Sequence, residues 1–244
     1  ANNSFPVDFL SKNLQIQNNL MDASHAADVE RFVFLGSSCI YPRDCQQPIK
    51  EEYLLTGPLE KTNSAYAVAK IAGIELIKSY RKQFNRRWIS LMPTNMYGPF
   101  DNFDLETSHV LPAFINRFVS AAKNGAQSVT VWGSGKPRRE FLHSDDLAKA
   151  TLIAAEKYDA PEHLNVGTGE DVTIAELAKT VASESGFTGE IKWDSSKPDG
   201  TLRKVLDVTN IKKVGWAPEI PLKEGIASTI EWFKENENRL VKRY

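Results

Sequence analysis

Cysteine is scarce in this 244-residue sequence, and its scarcity excludes two kinds of protein. The two cysteines, Cys39 and Cys45, are too few for a disulfide framework and too few for a cysteine-rich metal site. We therefore predict no metal and a reducing, cytoplasmic environment. In that environment the Cys39 thiol is available for chemistry.

An excess of charge of one sign and long apolar runs are lacking as well. The sequence has 30 lysine and arginine residues and 31 aspartate and glutamate residues, which gives a net charge of -1. This charge gives no electrostatic basis for binding nucleic acid. No apolar run approaches the roughly 20 residues of a membrane-spanning helix, so we predict no membrane partner. With 41% hydrophobic residues, the length suits one large globular domain or two small ones.

Short apolar runs alternate with segments of helical periodicity along the chain. The apolar runs are typical of strands buried on both faces of a parallel sheet, and they predict strands at 31–36, 88–92, 128–132 and 163–166. Apolar residues near the 3.6-residue period predict helices at 7–27, 65–82, 110–122, 147–157, 173–185 and 222–233. The alternation of strands and helices predicts an α/β fold built from right-handed βαβ units.

Tyr66 and Lys70 form the most informative residue pair. Four residues apart, they lie on one face of the predicted helix. A neighbouring ammonium favours the phenolate and lowers the tyrosine pKa from its usual value of about 10. Such a pair can give a proton to a carbonyl oxygen while a hydride arrives at the carbon. The same spacing also fits an exposed helical tyrosine and lysine with no catalytic role.

The segment Gly36–Pro42 supports the catalytic interpretation of that pair. Its polar residues Ser37, Ser38 and Cys39 follow the first predicted strand directly. In open α/β sheets, ligands bind at the carboxyl ends of the strands. The sequence therefore predicts a ligand site where this strand ends.

A series of short motifs extends over nearly the whole chain. They are Gly36–Pro42, Tyr66 with Lys70, Pro93–Pro99, Asn102–Asp104, Ser108 with His109, Val131–Gly135, Arg139–His143, Asn165–Gly169 and Lys197–Gly200. In combination they resemble the extended short-chain dehydrogenase/reductases and, more narrowly, the GDP-L-fucose synthase family. The resemblance implies a Rossmann-like parallel sheet formed by residues 1–100 and 141–166. It also implies a smaller α/β substrate-binding domain formed by residues 101–140 and 167–244.

One part of the family pattern is missing from the sequence. The first strand and the glycine-rich turn, which seat the cofactor pyrophosphate at a helix N-terminus, do not occur near residue 1. Relative to a doubly wound fold, on the order of 70 residues are lacking. We therefore expect an N-terminally incomplete Rossmann sheet, arising from a fragment, from an alternative start, or from a chain in which another segment completes the sheet.

The resemblance also implies an activity, a cofactor and a set of residue roles. The activity is conversion of GDP-4-keto-6-deoxy-D-mannose to GDP-L-fucose, by 3,5-epimerisation and NADPH-dependent reduction at carbon 4. The implied catalytic residues are Ser37, Cys39, Tyr66, Lys70 and His109, with Cys39 and His109 serving the epimerisation. The implied cofactor-binding residues are Ser37, Tyr66, Lys70, Pro93, Thr94, Asn95, Met96 and His109. The implied substrate-binding residues are Arg117, Trp132, Arg139 and Asp199.

Less specific interpretations of these residues remain alongside the family roles. Cys39 can be a small buried apolar residue, His109 a loop hydrogen-bonder, Trp132 a core aromatic and Asp199 a turn former. The chain as a whole can be another nucleotide-sugar epimerase or dehydratase, or a non-catalytic remnant that binds a GDP-sugar. Fold-level analogy predicts a homodimer formed through the helices at 7–27 and 65–82.

Overall fold

The computed structural model describes residues 4–196 and 199–240, so Lys197 and Pro198 of the Lys197–Gly200 motif lie outside the described residues. The chain divides into two compact units. The first unit contains the described residues of Ala1–Thr94, Leu147–Gly169 and Val205–Ala217. The second contains those of Asn95–Asp146, Glu170–Lys204 and Pro218–Tyr244. The segment 205–217, predicted on the substrate side, thus belongs with the parallel sheet of the first unit.

Helices and strands alternate along the described chain. The α-helices are α1 (Asn13–Ala26), α2 (Ser64–Phe84), α3 (Val110–Lys123), α4 (Ser144–Lys157), α5 (Ile174–Ser185), α6 (Thr209–Val214) and α7 (Leu222–Asn236). The strands are β1 (Val33–Leu35), β2 (Ile89–Pro93), β3 (Asn95–Tyr97), β4 (Ser128–Trp132), β5 (Arg138–Arg139), β6 (Phe141–His143), β7 (Leu164–Val166), β8 (Val172–Thr173), β9 (Glu190–Asp194) and β10 (Arg203–Lys204). One π-helical turn, Asp8–Lys12, leads into α1. No helix in residues 4–196 or 199–240 is long and apolar enough to cross a membrane.

The first unit is built on a parallel sheet with the strand order β1-β2-β7. Every residue of β2 and β7 is buried, as expected for strands that are covered on both faces. Gly73 allows α2 to approach β1 closely, because a Cβ at this position would collide with the ring of Phe34. The predicted α/β fold with a Rossmann-like parallel sheet is confirmed.

The second unit has a separate hydrophobic core. Side chains of α3, α5 and α7 fill it, among them Phe118, Leu177 and Phe233, each at most 1% exposed. The described residues of this unit form three small sheets: the parallel pairs β3-β6 and β4-β9, and the three-stranded sheet β10-β5-β8. Thr173 and Glu176 form a reciprocal capping box that starts α5.

Candidate active site

A close backbone approach places Ser37 at the end of β1. The N–H of Gly36 donates to the carbonyl oxygen of Leu91 on β2 at 2.8 Å. A Cβ at residue 36 would meet the end of the Met92 side chain, which would then have to shift. Ser37 follows in an extended conformation and caps the 3-10 turn that carries Cys39. The predicted ligand site at this strand end therefore has two of its polar side chains on one turn.

Tyr41 anchors that turn from its other end. Its buried hydroxyl donates to Oδ1 of Asn165 at 2.5 Å and is 2.9 Å from Nε2 of His163. Nδ2 of Asn165 in turn donates to the carbonyl oxygens of Ile49 and Asp207. Neither Tyr41 nor Asn165 had a predicted role. The only signal was their position inside the motifs Gly36–Pro42 and Asn165–Gly169.

Tyr66 lies beside the serine and the cysteine of the turn. Burial raises the pKa of Tyr66, negative charge on Cys39 raises it further, and the neighbouring Ser37 hydroxyl lowers it. The net pKa is above the ordinary value of tyrosine. The predicted lowering by Lys70 is therefore wrong in this structure, because burial and Cys39 dominate. Tyr66 is a neutral phenol at neutral pH, which is the form that can donate a proton.

Lys70 is held between the strand and the tyrosine ring. Its Nζ donates to the carbonyl oxygen of Leu35 at 3.0 Å and lies 5.6 Å from the ring centre of Tyr66. The ring centre of Phe34 is 5.1 Å away. Burial lowers the Lys70 pKa, and no carboxylate of the described residues contributes to it. Lys70 thus has a partly desolvated ammonium with donor capacity beyond the single bond to Leu35.

These first-unit residues fit a nicotinamide nucleotide. Ser37 and Pro93–Thr94 follow the carboxyl ends of neighbouring parallel strands, where nucleotides bind in open α/β sheets. The N–H of Thr94 donates to the carbonyl oxygen of Val166, which fixes the path of this segment. The spare donors of Lys70 are suited to ribose hydroxyl groups. The described residues contain no group of three or more His, Cys, Asp or Glu side chains that could hold a metal ion.

Asn95, Met96 and His109 belong to the second unit. The side-chain amide of Asn95 donates to the carbonyl oxygen of Glu140 at 2.8 Å, and Met96 is 40% exposed. His109 is exposed at the N-cap of α3. In the loop before it, Oδ1 of Asp104 accepts hydrogen bonds from the backbone and hydroxyl of Thr107. His109 therefore ends an ordered loop.

The four predicted substrate-binding residues also lie in the second unit. Nη1 of Arg117 donates to the carbonyl oxygen of Thr130 on β4, and Trp132 ends the same strand with 67% of its surface exposed. This exposure contradicts the alternative of a core tryptophan. Arg117 thus contacts β4 two residues before Trp132, the last residue of the strand.

Asp199 and Arg139 are linked to the turn that follows Trp132. The Asp199 carboxylate accepts the backbone N–H of Ser134 at 2.9 Å and its hydroxyl at 2.6 Å. These hydrogen bonds are the main reason why the Asp199 pKa is lowered. Nη2 of Arg139 lies 3.1 Å from the position that a Cβ of Gly200 would occupy. Trp132 and Asp199 thus lie at the turn around Ser134, and Arg139 lies beside Gly200, the residue that follows Asp199.

Comparison with known proteins gives the same picture. Residues 1–167 match the NAD dependent epimerase/dehydratase family. The probable GDP-L-fucose synthase 1 of Oryza sativa subsp. japonica is 55% identical over 97% of this chain and 72% of its own length. The GDP-L-fucose synthase of Escherichia coli (strain K12) is 51% identical over 98% of this chain and 77% of its own length.

A solved structure extends the similarity to three dimensions. The crystal structure of a GDP-L-fucose synthetase from Naegleria fowleri bound to NADP matches with a TM-score of 0.92 and 32% identity. The match covers 98% of this chain and 76% of that one. The chain therefore belongs to the NAD dependent epimerase/dehydratase family, and its sequence is of the GDP-L-fucose synthase type.

Proposed function

We propose that this protein converts GDP-4-keto-6-deoxy-D-mannose to GDP-L-fucose, by epimerisation at carbons 3 and 5 and NADPH-dependent reduction at carbon 4. The observation that carries the proposal is the closeness of three side chains: Ser37 and Cys39 share one turn, and both lie near enough to Tyr66 to shift its pKa. A hydroxyl, a phenol and a thiol thus meet at one strand end. Reduction of a ketone and proton transfer next to it need these groups together.

Epimerisation requires a base and an acid that act on opposite faces of the sugar ring. The hydrogens on the carbons flanking the 4-keto group are removable, because the resulting carbanion is stabilised as an enolate. Cys39 is the proposed base, accepting a proton from carbon 3 or carbon 5 on its sulfur. His109 is the proposed acid and returns a proton to the other face.

Reduction requires a proton for the oxygen at carbon 4. NADPH, when bound, supplies the hydride that reaches this carbon. Tyr66 gives its phenolic proton to the oxygen, and the Ser37 hydroxyl donates a hydrogen bond to the same oxygen. Lys70 holds the nicotinamide ribose and stabilises the phenolate that Tyr66 becomes. Pro93, Thr94, Asn95 and Met96 line the nicotinamide.

Recognition of the GDP part is assigned to the second unit. Arg117 and Arg139 face the diphosphate, because the planar guanidinium pairs with phosphate oxygens in a bidentate manner. The exposed ring of Trp132 stacks on the guanine or packs on the sugar. Asp199 accepts hydrogen bonds from the substrate with the capacity that remains beyond Ser134.

A homodimer in the cytoplasm completes the proposal. Helix α1 packs on α2, where the side-chain amide of Gln17 donates to the carbonyl oxygen of Ala69 at 2.8 Å. Ile16 and Leu20 are one turn apart on α1, and both are more than half exposed. An exposed apolar surface of this kind is suited to the same surface of a second copy. A reducing compartment keeps the Cys39 thiol available.

Two assays on the purified protein test the activity. The first follows deuterium uptake from solvent into GDP-4-keto-6-deoxy-D-mannose by NMR without NADPH, which needs the acid and base but no hydride donor. The second follows NADPH oxidation when the same substrate is added. We expect deuterium at carbons 3 and 5 and stoichiometric oxidation of NADPH. Binding of the GDP-sugar without either reaction would favour the non-catalytic alternative and overturn the proposal.

A further inference from the structure

Asp171 is a buried acid that links two arginines of the second unit. Its side chain is only 4% exposed. One carboxylate oxygen accepts Nε of Arg138 and the other accepts Nε of Arg203, both at 2.5 Å. Nη2 of Arg138 also donates to the backbone carbonyl of Asp171 at 2.8 Å. Burial alone would raise the pKa of Asp171, but the two guanidinium groups outweigh burial and leave the pKa below its ordinary value.

The strands joined by this acid are too short to hold together by themselves. β5, β8 and β10 have two residues each. In the sheet, Arg203 of β10 lies opposite Arg138 of β5, and Arg138 lies opposite Thr173 of β8. So short a ladder contributes few backbone hydrogen bonds, whereas charge-assisted pairs to one buried carboxylate are strong and fix geometry. Asp171 therefore fastens β10 to β5.

Two proposed substrate contacts depend on the same pair of strands. Arg139 is the second residue of β5 and follows Arg138 directly. Asp199 and Gly200 lie in the segment that enters β10, and the N–H of Arg138 donates to the carbonyl oxygen of Leu202 in that segment. The placement of the Arg139 guanidinium beside Gly200 thus requires β5 and β10 to keep their mutual position.

We infer that Asp171 is a positioning residue for GDP-sugar binding: by bridging Arg138 and Arg203 it holds Arg139 and Asp199 in the arrangement that binds the substrate. The inference rests on the proposed function. In this role Asp171 does not contact the substrate, because its carboxylate is buried between the two arginines. Loss of the bridge releases β10 and spreads Arg139 over several orientations, which weakens binding before chemistry.

The test compares Asp171→Asn with a matched variant, Asp159→Asn. Asp159 of the first unit also joins arginines: Arg81 Nη2 and Arg87 Nε each lie 2.8 Å from its carboxylate, and Arg31 Nη1 lies 3.7 Å away. Both variants replace one bridging carboxylate by an amide. Steady-state kinetics with the GDP-sugar and NADPH, calorimetric titration with GDP alone, and thermal unfolding are measured for each.

A selective defect in binding is the expected result. Asp171→Asn should raise KM for the GDP-sugar and Kd for GDP by about tenfold or more, with kcat within about threefold and KM for NADPH within about twofold of wild type. Asp159→Asn should leave all four parameters near wild type even if its Tm falls. Arg203→Gln should reproduce the KM increase. The double variant Asp171→Asn with Arg203→Gln should raise KM little further, because both changes break the same bridge.

Other results overturn the inference. If Asp171→Asn lowers Tm but leaves KM for the GDP-sugar and Kd for GDP unchanged, Asp171 only stabilises the fold. If Asp171→Asn does not fold, the same comparison of Tm, KM and Kd is made with Arg203→Gln. A wild-type protein that turns over the GDP-sugar leaves the proposed function standing even when either variant overturns the inference. A wild-type protein that neither binds GDP nor turns over the GDP-sugar would overturn the function and the inference together.

Discussion

The side-chain oxygen of Ser37 accepts the backbone N–H of Cys39 at 3.2 Å. The Ser37 hydroxyl also lies near enough to the Tyr66 phenol to lower its pKa. One serine therefore connects the residue proposed to reduce the ketone with the residue proposed to epimerise its neighbours. A change at Ser37 should affect both half-reactions, although not equally.

Ser37→Ala removes the hydroxyl proposed to bond the ketone oxygen, and with it the neighbour of Tyr66 and the cap of the turn. We expect kcat for NADPH oxidation to fall by about 100-fold, since an oxyanion-type donor contributes about 3 kcal/mol. Loss of the cap, worth about 1 kcal/mol, should slow deuterium exchange by only about tenfold or less. Ser79→Ala is the matched control, because the Ser79 hydroxyl donates to a backbone carbonyl on α2. Equal losses in both assays would contradict separate roles.

Tyr66→Phe should separate the two half-reactions further. Without a phenolic proton, NADPH oxidation should fall by at least about 100-fold, while deuterium exchange at carbons 3 and 5 continues. The comparison is Tyr53→Phe, which removes a first-unit hydroxyl bonded to Gln46. The two rates are measured in the same preparation by absorbance and NMR. Normal NADPH oxidation by Tyr66→Phe would remove Tyr66 from the mechanism.

Cys39→Ala should abolish deuterium exchange, because no base then accepts the proton. Cys45→Ala is the control, since it removes the second thiol of the sequence and leaves the turn intact. His109→Ala should slow the return of the proton and reduce exchange less completely. Exchange that persists in Cys39→Ala and vanishes in Cys45→Ala would show that Cys45, and not Cys39, is the base.

His163 should make the protein less stable in mild acid. Burial lowers the His163 pKa to about 4, whereas the unfolded chain binds the same proton near pH 6.5. The unfolded state therefore binds more protons between these values, so stability is lost as the pH falls through the window. From about pH 7 to about pH 5 the loss is about 2 kcal/mol.

Denaturant unfolding at the two pH values measures this difference. His163→Gln should reduce the pH dependence by about the same 2 kcal/mol. His25→Gln removes another first-unit histidine and should leave the His163 contribution in place. An unchanged slope in His163→Gln would show that other groups cause the loss.

Ile16→Glu should prevent dimerisation. A carboxylate in the middle of an apolar α1 surface cannot be buried against a second copy without a large desolvation cost. Light scattering should then show a monomer at concentrations where the wild type is a dimer. Leu152→Glu changes a leucine that is 71% exposed on α4 and should leave the dimer intact. A wild-type monomer, or a dimer of Ile16→Glu, would contradict this interface.

Elements with strong local signals were predicted close to their observed bounds. β4 spans Ser128–Trp132 as predicted, and the helix with Tyr66 and Lys70 spans Ser64–Phe84. The helix predicted at 173–185 is observed as α5, Ile174–Ser185. β3, β5, β6, β8, β9, β10 and α6 were missed. Except for β9, these strands have two or three residues and no periodicity, so only their tertiary neighbours define them.

The sequence by itself determined the α/β fold, the family and the identity of the proposed site residues, because these depend on periodicity and on short ordered motifs. Tertiary structure decided the pKa direction of Tyr66, since burial and the nearness of Cys39 depend on residues far apart in the chain. It likewise decided the role of Asp171, whose partners Arg138 and Arg203 lie more than 30 residues away on either side. Spacing along a chain specifies local structure, but desolvation and charge pairing arise only when distant segments pack together.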